Sequence, residues 1–313
     1  SLLSGKWLPG PSALPHSLIL GEGTQRVPKR RQSDDAPEIV KKTDPRREWD
    51  RGTELMSIFA MSGFLESRDD TGKWRRERPQ SLMLVGDPAS GKTELIERFN
   101  ANTWLAYRSD ITRRGLDPIL DDAIHNRATH LVMTEFQTVF LRKMSVAGNC
   151  LTSLGQAMEE GIGVEDIGGR QRDYQGARIG LIAGLTNGSL EERRRYLRDL
   201  GMLSRAAVLF WAPPDSEIKE IMNKIDKGDR RDLEKIKLAR PDKPVRVVLP
   251  PPLAGLLSRF AWEMLRGQGM RLQRRLHVLT MTCAMMAGRD IVKSDDVEQV
   301  MRFQDYWRKA VHQ

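Results

Sequence analysis

Residues 86–93 read GDPASGKT. Gly86 and Gly91 enclose four residues, and Lys92 and Thr93 follow. This spacing suits a loop whose backbone N–H groups turn inward around phosphate oxygens, because glycine adopts the conformations such a turn requires. Lys92 is expected to reach the β- and γ-phosphates as a point charge, and Thr93 to offer its hydroxyl to Mg²⁺. The flanks agree. SLMLV reads as a short buried strand, and KTELIERFN as a helix whose N-terminus adds positive potential. Gly86, Asp87, Pro88, Ala89, Ser90, Gly91, Lys92, Thr93 and Glu94 are therefore the expected cradle for a nucleoside triphosphate, with ATP and Mg²⁺ as cofactors.

A second stretch, ATHLVMTEFQ at 128–137, is an apolar run that ends in Thr134 and Glu135. In parallel sheets ligands bind beyond the carboxyl ends of the strands, so an acid at that point faces a crevice, not a core. On a strand adjacent to the phosphate loop, Glu135 is the expected general base or water-orienting residue. Thr134 stands where a second acid is usual. A hydroxyl can bond a metal-bound water but brings no full charge. Mg²⁺ is thus expected to lean on Thr93 and the phosphates, with Thr134 and Glu135 acting through water, and hydrolysis is expected to be slow.

The elements that must position these residues alternate. Strands are expected at SLMLV, NTWLAYR, HLVMTE, ARIGLIAGLT and AAVLFWAP, with helical stretches between them, and TGKWRRERPQ reads as a charged loop. Alternation of this kind implies an α/β fold with a parallel sheet covered on both faces. Residues 1–48, rich in Pro, Gly, Ser and charge, read as an extended basic arm. Residues 49–214 form the expected nucleotide-binding domain. Residues 215–313, helical apart from VRVVLP, form a smaller helical domain.

The chain has 313 residues, 39% hydrophobic and 30% charged, which fits a soluble globular protein. No apolar stretch approaches membrane-helix length. The start lacks the pattern of a signal peptide, and its first residue, Ser1, implies a trimmed chain. Cys150 and Cys283 lie in unrelated contexts, so neither a disulfide framework nor a metal cluster is expected. These features point to a cytoplasmic protein, nucleoid-associated or nuclear in a eukaryote. A net charge of +9 favours a polyanionic partner such as nucleic acid.

With these stretches placed, residues 50–310 resemble an AAA+ ATPase and, within that class, are similar to the MCM-like helicases. LVGDPASGKTELIERF resembles that group's P-loop. TEFQTVF, then LTSLGQAMEEGIGVEDIGGRQRDYQGARIGLIAGLTN, resemble its Walker B strand, following helix, inserted hairpin and sensor 1 strand. MLSRAAVLFWAP is similar to the arginine-finger turn and next strand, and MRLQRRLHVLTMTCAMMAGRDIVKSDDVEQVMRF to the lid with sensor 2. The resemblance implies a P-loop NTPase (AAA+) fold, a parallel sheet flanked by helices with a C-terminal α-helical lid.

It also implies roles. Thr186 or Asn187 serves as sensor 1. Arg205 is the arginine finger, acting on the nucleotide of a neighbouring subunit. Arg259, in LLSRF, copies the family string more literally but lies inside a predicted helix, whereas Arg205 directly precedes the fifth strand. Arg271 matches sensor 2, with Arg274 and Arg275 as close rivals. The catalytic set is then Glu135, Thr186, Asn187, Arg205 and Arg271. The insert GVEDIGGRQRDYQG can fold back as a hairpin around IGG. In the family it points into the pore of a ring, so Arg170 and Arg172 are expected to pair with DNA phosphates and Tyr174 to stack on a base. The basic runs KWRRER and RRRYLR are further patches.

The expected function is a DNA-dependent ATPase of replication or mobile-element type, assembled as a homo-oligomeric ring or spiral, a hexamer. Two alternatives stand beside it. One is a regulatory DNA-binding ATP switch, such as a transposition target-selection ATPase, which slow hydrolysis suits. The other is a protein-remodelling ATPase in which the basic charge is incidental.

Overall fold

Strands that read as unbroken apolar runs must be covered on both faces, and that requirement organises the chain. The computed structural model describes residues 47–69, 71–166, 171–264 and 269–304. The expected arm, up to residue 46, and Arg170 lie outside them. Helix α1 (Glu48–Met61) leads into the short strands β1 (Leu65–Arg68) and β2 (Trp74–Arg76). Strand β3 (Ser81–Gly86) is followed by α2 (Lys92–Glu97), β4 (Leu105–Tyr107), α3 (Arg113–Ile124), β5 (His130–Met133) and α4 (Met144–Met158). Then come β6 (Ile162–Asp166), β7 (Gln171–Ala177), β8 (Gly180–Thr186), α5 (Asn187–Asp199), α6 (Met202–Arg205) and β9 (Ala206–Phe210). After β9 the chain forms α7 (Asp215–Asp226), β10 (Val245–Arg246), α8 (Pro251–Met264), α9 (Gly269–Met286) and α10 (Ser294–Met301).

The main sheet is all parallel, with the five strands in the order β4-β5-β8-β3-β9. Each is one of the strands expected from the sequence. Alternation along β3 explains how the layers form. Leu82 and Leu84 enter one core with α1, α2 and the C-terminal helices, while Met83 and Val85 enter the other with α3, α4 and α5. All six residues of β3 are buried. Burying each large apolar side chain contributes roughly 1.5–3 kcal/mol. Leu257 and Phe260 of α8, Leu276 of α9 and Val297 of α10 share the first core with Leu55 and Phe59 of α1. The C-terminal helices are therefore packed against the α1 side of the sheet.

Two details differ from expectation. The strand that leads to Glu135 is not adjacent to β3, because β8 lies between β3 and β5. And the charged loop at 71–80 contains a strand. β2 pairs antiparallel with β1, which pairs parallel with β10. β1 and β2 are short and mostly polar, so apolar periodicity does not reveal them, while β10 falls in the VRVVLP run that the sequence sets apart from the helices. Part of the cohesion of these strands is Trp74, whose ring is flanked by the guanidinium groups of Arg68 at 5.1 Å and Arg246 at 5.3 Å. The two strands of the expected hairpin pair, with β6 and β7 antiparallel from Ile162↔Ala177 to Asp166↔Gln171, and its expected turn at IGG lies outside the described residues. Among the described residues, no helix is long and apolar enough to cross a membrane.

Candidate functional site

The loop after β3 sits at the carboxyl end of the sheet. Two of its residues adopt left-handed backbone, Ala89 (φ 62°) and Gly91 (φ 80°), and Gly91 directly precedes the first turn of α2. Gly86 has no room for a side chain, since an added Cβ would lie 2.3 Å from the Trp211 carbonyl oxygen. Lys92 is only 8% exposed. Its ammonium donates to the carbonyls of Gly86 (2.9 Å) and Asp87 (2.6 Å) and to Ser90 Oγ (3.2 Å). Burial lowers its pKa, against the opposing charges of Asp87 and Glu94. The loop thus curls around a cation at its own centre. Thr93, half-buried, follows on the first turn of α2.

Two tryptophans back this loop. Trp211 donates its indole N–H to the Ser90 carbonyl at 2.8 Å. Trp49 lies 6.0 Å from Trp211, ring to ring, and its edge crowds Gly91. Trp49 is itself held from α7, because Glu217 accepts from the backbone N–H groups of Trp49 (2.7 Å) and Glu48 (3.0 Å). That carboxylate caps the start of α1. Sequence reasoning missed Trp49, Trp211 and Glu217. The signal available was two tryptophans at element edges, one at the point where the text turns from polar to periodic.

Next to the loop, β8 ends in Thr186 and α5 begins at Asn187. The Asn187 amide donates to Asp87 Oδ1 at 2.7 Å, which ties β8 to the loop. Thr186 does something else. Its hydroxyl accepts from Ser189 N–H and donates to Ser189 Oγ, capping α5. Of the two sensor 1 candidates, then, Asn187 faces the loop. One strand further, Glu135 follows β5 at the same carboxyl end, with its side chain exposed and Thr134 half-buried. The Glu135 carbonyl is fixed by Thr138 N–H and Oγ1. The end of β5 approaches β8 so closely that a Cβ on Gly184 would lie 2.3 Å from the Thr134 carbonyl. Among the described residues, no group of three or more His, Cys, Asp or Glu could cage a metal. The hydroxyls of Thr93 and Thr134 with one or two carboxylates suit Mg²⁺, which keeps several waters and takes phosphate oxygens as ligands.

Arg205 and Arg271 lie elsewhere. Arg205 ends α6, and the next residue, Ala206, pairs with Ser81 at the amino end of β3. β3 spans six residues, so Arg205 is separated from the loop by roughly 16 Å of strand. Arg205 pairs with Glu159 at 2.9 Å, and Arg271 binds the same carboxylate through Nε (3.0 Å) and Nη2 (2.9 Å). Arg271 also donates to Ser204 Oγ. The structure therefore groups the arginine-finger and sensor 2 candidates together and keeps both away from their own loop. Arg274 pairs with Glu77, and Arg275 is buried behind Arg271.

Of the expected nucleic-acid contacts, Tyr174 is corrected. It is 0% exposed, and its hydroxyl donates to Asp117 Oδ1 at 2.8 Å, so no ring face is free to stack on a base. It faces inward because β7 packs on α3, where Asp117 sits. Arg172 is partly exposed and pairs with the same Asp117 at 3.4 Å. The basic runs are internally matched in part. Arg75 pairs with Asp69, Arg78 with Glu159, Arg193 with Glu192 and Arg194 with Glu191. Cys150 and Cys283 are free, buried thiols. Burial pushes both thiol pKa values up, that of Cys150 to about 11. No protein-family model matches the chain, and no curated protein matches it.

Proposed function

We propose that this chain is an AAA+ ATPase similar to the MCM-like helicases, which binds Mg²⁺ and ATP in the 86–93 loop, hydrolyses ATP where two copies meet, and acts on DNA. One observation carries the reading. The loop, Asn187 and Glu135 converge at one end of the parallel sheet, while Arg205 sits at the other. In this reading, the backbone N–H groups of residues 89–92 hold the phosphates and Lys92 turns from its own carbonyls toward the β- and γ-oxygens. Bound Mg²⁺ would supply charge neutralisation between the phosphates, beside the Thr93 hydroxyl. Asn187 orients the terminal phosphate or the attacking water. Glu135 accepts the water's proton. Arg205 of one copy stabilises the charge that develops on the nucleotide of the next, since it cannot reach its own. Helices α8–α10 take the part of the lid.

The net charge of +9 favours DNA as the partner, and a ring or spiral of copies, such as a hexamer, would complete each site. Thr134 favours a second reading, a regulatory ATP switch with slow turnover, because its hydroxyl replaces a charged metal partner. Calorimetry of Mg²⁺ and ATP binding to the chain and to Lys92→Ala tests the common basis. Heat from the first and none from the second is expected, and no heat from either ends the reading. Turnover with and without single-stranded DNA then separates the two forms. A motor accelerates strongly and displaces strands, whereas a switch assembles on DNA with ATP and hydrolyses slowly.

A further inference from the structure

Five arginines line one cleft at the amino end of the sheet: Arg78, Arg205, Arg271, Arg274 and Arg275. They come from three separate parts of the chain, the segment before β3, the end of α6 and the start of α9. Like charges brought this close repel unless something neutralises them. Among them is the carboxylate of Glu159, the C-cap residue that follows α4. It pairs with Arg205 at 2.9 Å and Arg78 at 3.4 Å and takes a two-point grip from Arg271. Burial pushes the Glu159 pKa up, but Arg271, Arg205 and Arg78 outweigh it and hold the group below its ordinary value. The acid is charged at neutral pH.

Arg275 supplies a second, independent observation. It is only 7% exposed, its Nη2 reaches the Ser204 carbonyl at 3.4 Å, and its Nε makes no hydrogen bond. A guanidinium buried so incompletely paired is costly unless an anion completes the site. The five arginines still outnumber the acids they meet, Glu159 with Glu77 on Arg274 and Glu160 4.0 Å from Arg205, so the cleft is built to face further negative charge.

We propose that Glu159 is a positioning residue that yokes Arg205 and Arg271 into one two-armed receptor for the triphosphate held by a second copy of this chain. The inference rests on the function proposed above and adds to it the acid that sets the geometry. Glu159 is hydrogen-bonded by Arg271 and ion-paired with Arg205, whose Nη1 is also anchored on the Leu200 carbonyl, so the spacing of the two arginines is fixed before a partner docks. Without the charge, the two guanidinium groups separate and the receptor loses its shape, although both arginines remain.

The test is Glu159→Gln in the full chain, which preserves size and one acceptor oxygen and removes the charge. Affinity for ATP and KM are expected to stay within about twofold, because the loop is untouched, while kcat falls by about tenfold or more. Mixing this variant with Glu135→Gln is expected to restore turnover, since the second protein offers intact arginines to the first protein's loop. An Arg205→Ala and Glu135→Gln mixture is the control. Rescue in the control but none with Glu159→Gln overturns this inference alone, as does wild-type kcat in Glu159→Gln. No rescue in the control overturns the trans reading and this inference with it. If Glu159→Gln does not fold, Glu159→Asp, which keeps the charge but shortens its reach, must show the same loss of kcat at unchanged KM, and a normal kcat overturns the proposal.

Discussion

Asn187 donates its side-chain amide to the carboxylate of Asp87 at 2.7 Å, joining the end of β8 to the loop that follows β3. Its neighbour Thr186 spends its hydroxyl on Ser189 and starts a helix. Two adjacent polar residues thus have separate tasks, and substitution can tell them apart.

Thr186→Ala removes a helix cap and is expected to cost about 1 kcal/mol of stability. Asn187→Ala is expected to leave the unfolding temperature nearly unchanged and to lower kcat by about tenfold or more. Thermal unfolding beside steady-state ATP hydrolysis checks both, and the opposite pattern would exchange the two roles.

Glu135→Gln should bind ATP as the parent does and lose turnover by roughly 10²–10⁴-fold, the usual contribution of a general base. Thr134→Asp should place a charge beside the proposed Mg²⁺ position and lower the Mg²⁺ concentration needed for half-maximal hydrolysis. A magnesium titration of both variants reads this directly.

Gly184→Ala touches no reacting group. Its new Cβ would meet the Thr134 carbonyl at 2.3 Å, so the end of β5 must move away from β8 and carry Glu135 with it. Overpacking of this kind typically costs about 1–3 kcal/mol. Hydrolysis is expected to fall steeply while calorimetry still records ATP binding, because the phosphate loop lies across β8 from the disturbance.

His130 gives a pH dependence. Its Nε2 donates to the Gln80 carbonyl at 3.1 Å and its Nδ1 accepts from Thr129 Oγ1 at 2.9 Å, inside the core. Burial pushes its pKa down to about 4 from 6.5. Between those values the unfolded chain binds a proton that the folded chain does not, so stability falls as pH drops through that window. The full loss is on the order of 3 kcal/mol. Urea unfolding at pH 7 and pH 4.5 should show this for the parent, and a smaller loss for His130→Asn.

The sequence made the five strands of the sheet legible because burial on both faces leaves unbroken apolar runs, as in SLMLV and HLVM. The shape of the GDPASGKT loop was legible because its glycines mark where the backbone must turn, Gly91 in left-handed conformation and Gly86 with no room for a Cβ. Strand order was not. Nothing in a period of two says that β8 would enter between β3 and β5. Strands β1 and β2 escaped because their few residues are mostly polar. Tyr174 misled because QRDYQGA has one aromatic among polar neighbours, and only packing against α3 shows which face is inside. Glu159 carries no signal of its own in the sequence. Its meaning depends on Arg78, Arg205 and Arg271, which lie far apart along the chain and meet only after folding.

β3 has one further consequence. Its first residue adjoins the arginine end and its last adjoins the loop, so in the proposed reading the arginine receptor and the site it serves lie at opposite ends of one rod. A two-fold pair can mate such patches only by lying antiparallel, each loop beside the other copy's arginines. Head-to-tail contacts are instead heterologous, and they run on from copy to copy until rotation closes them. An assembly built this way has a direction before any fuel is consumed, and any seam left open exposes one loop that no arginine serves.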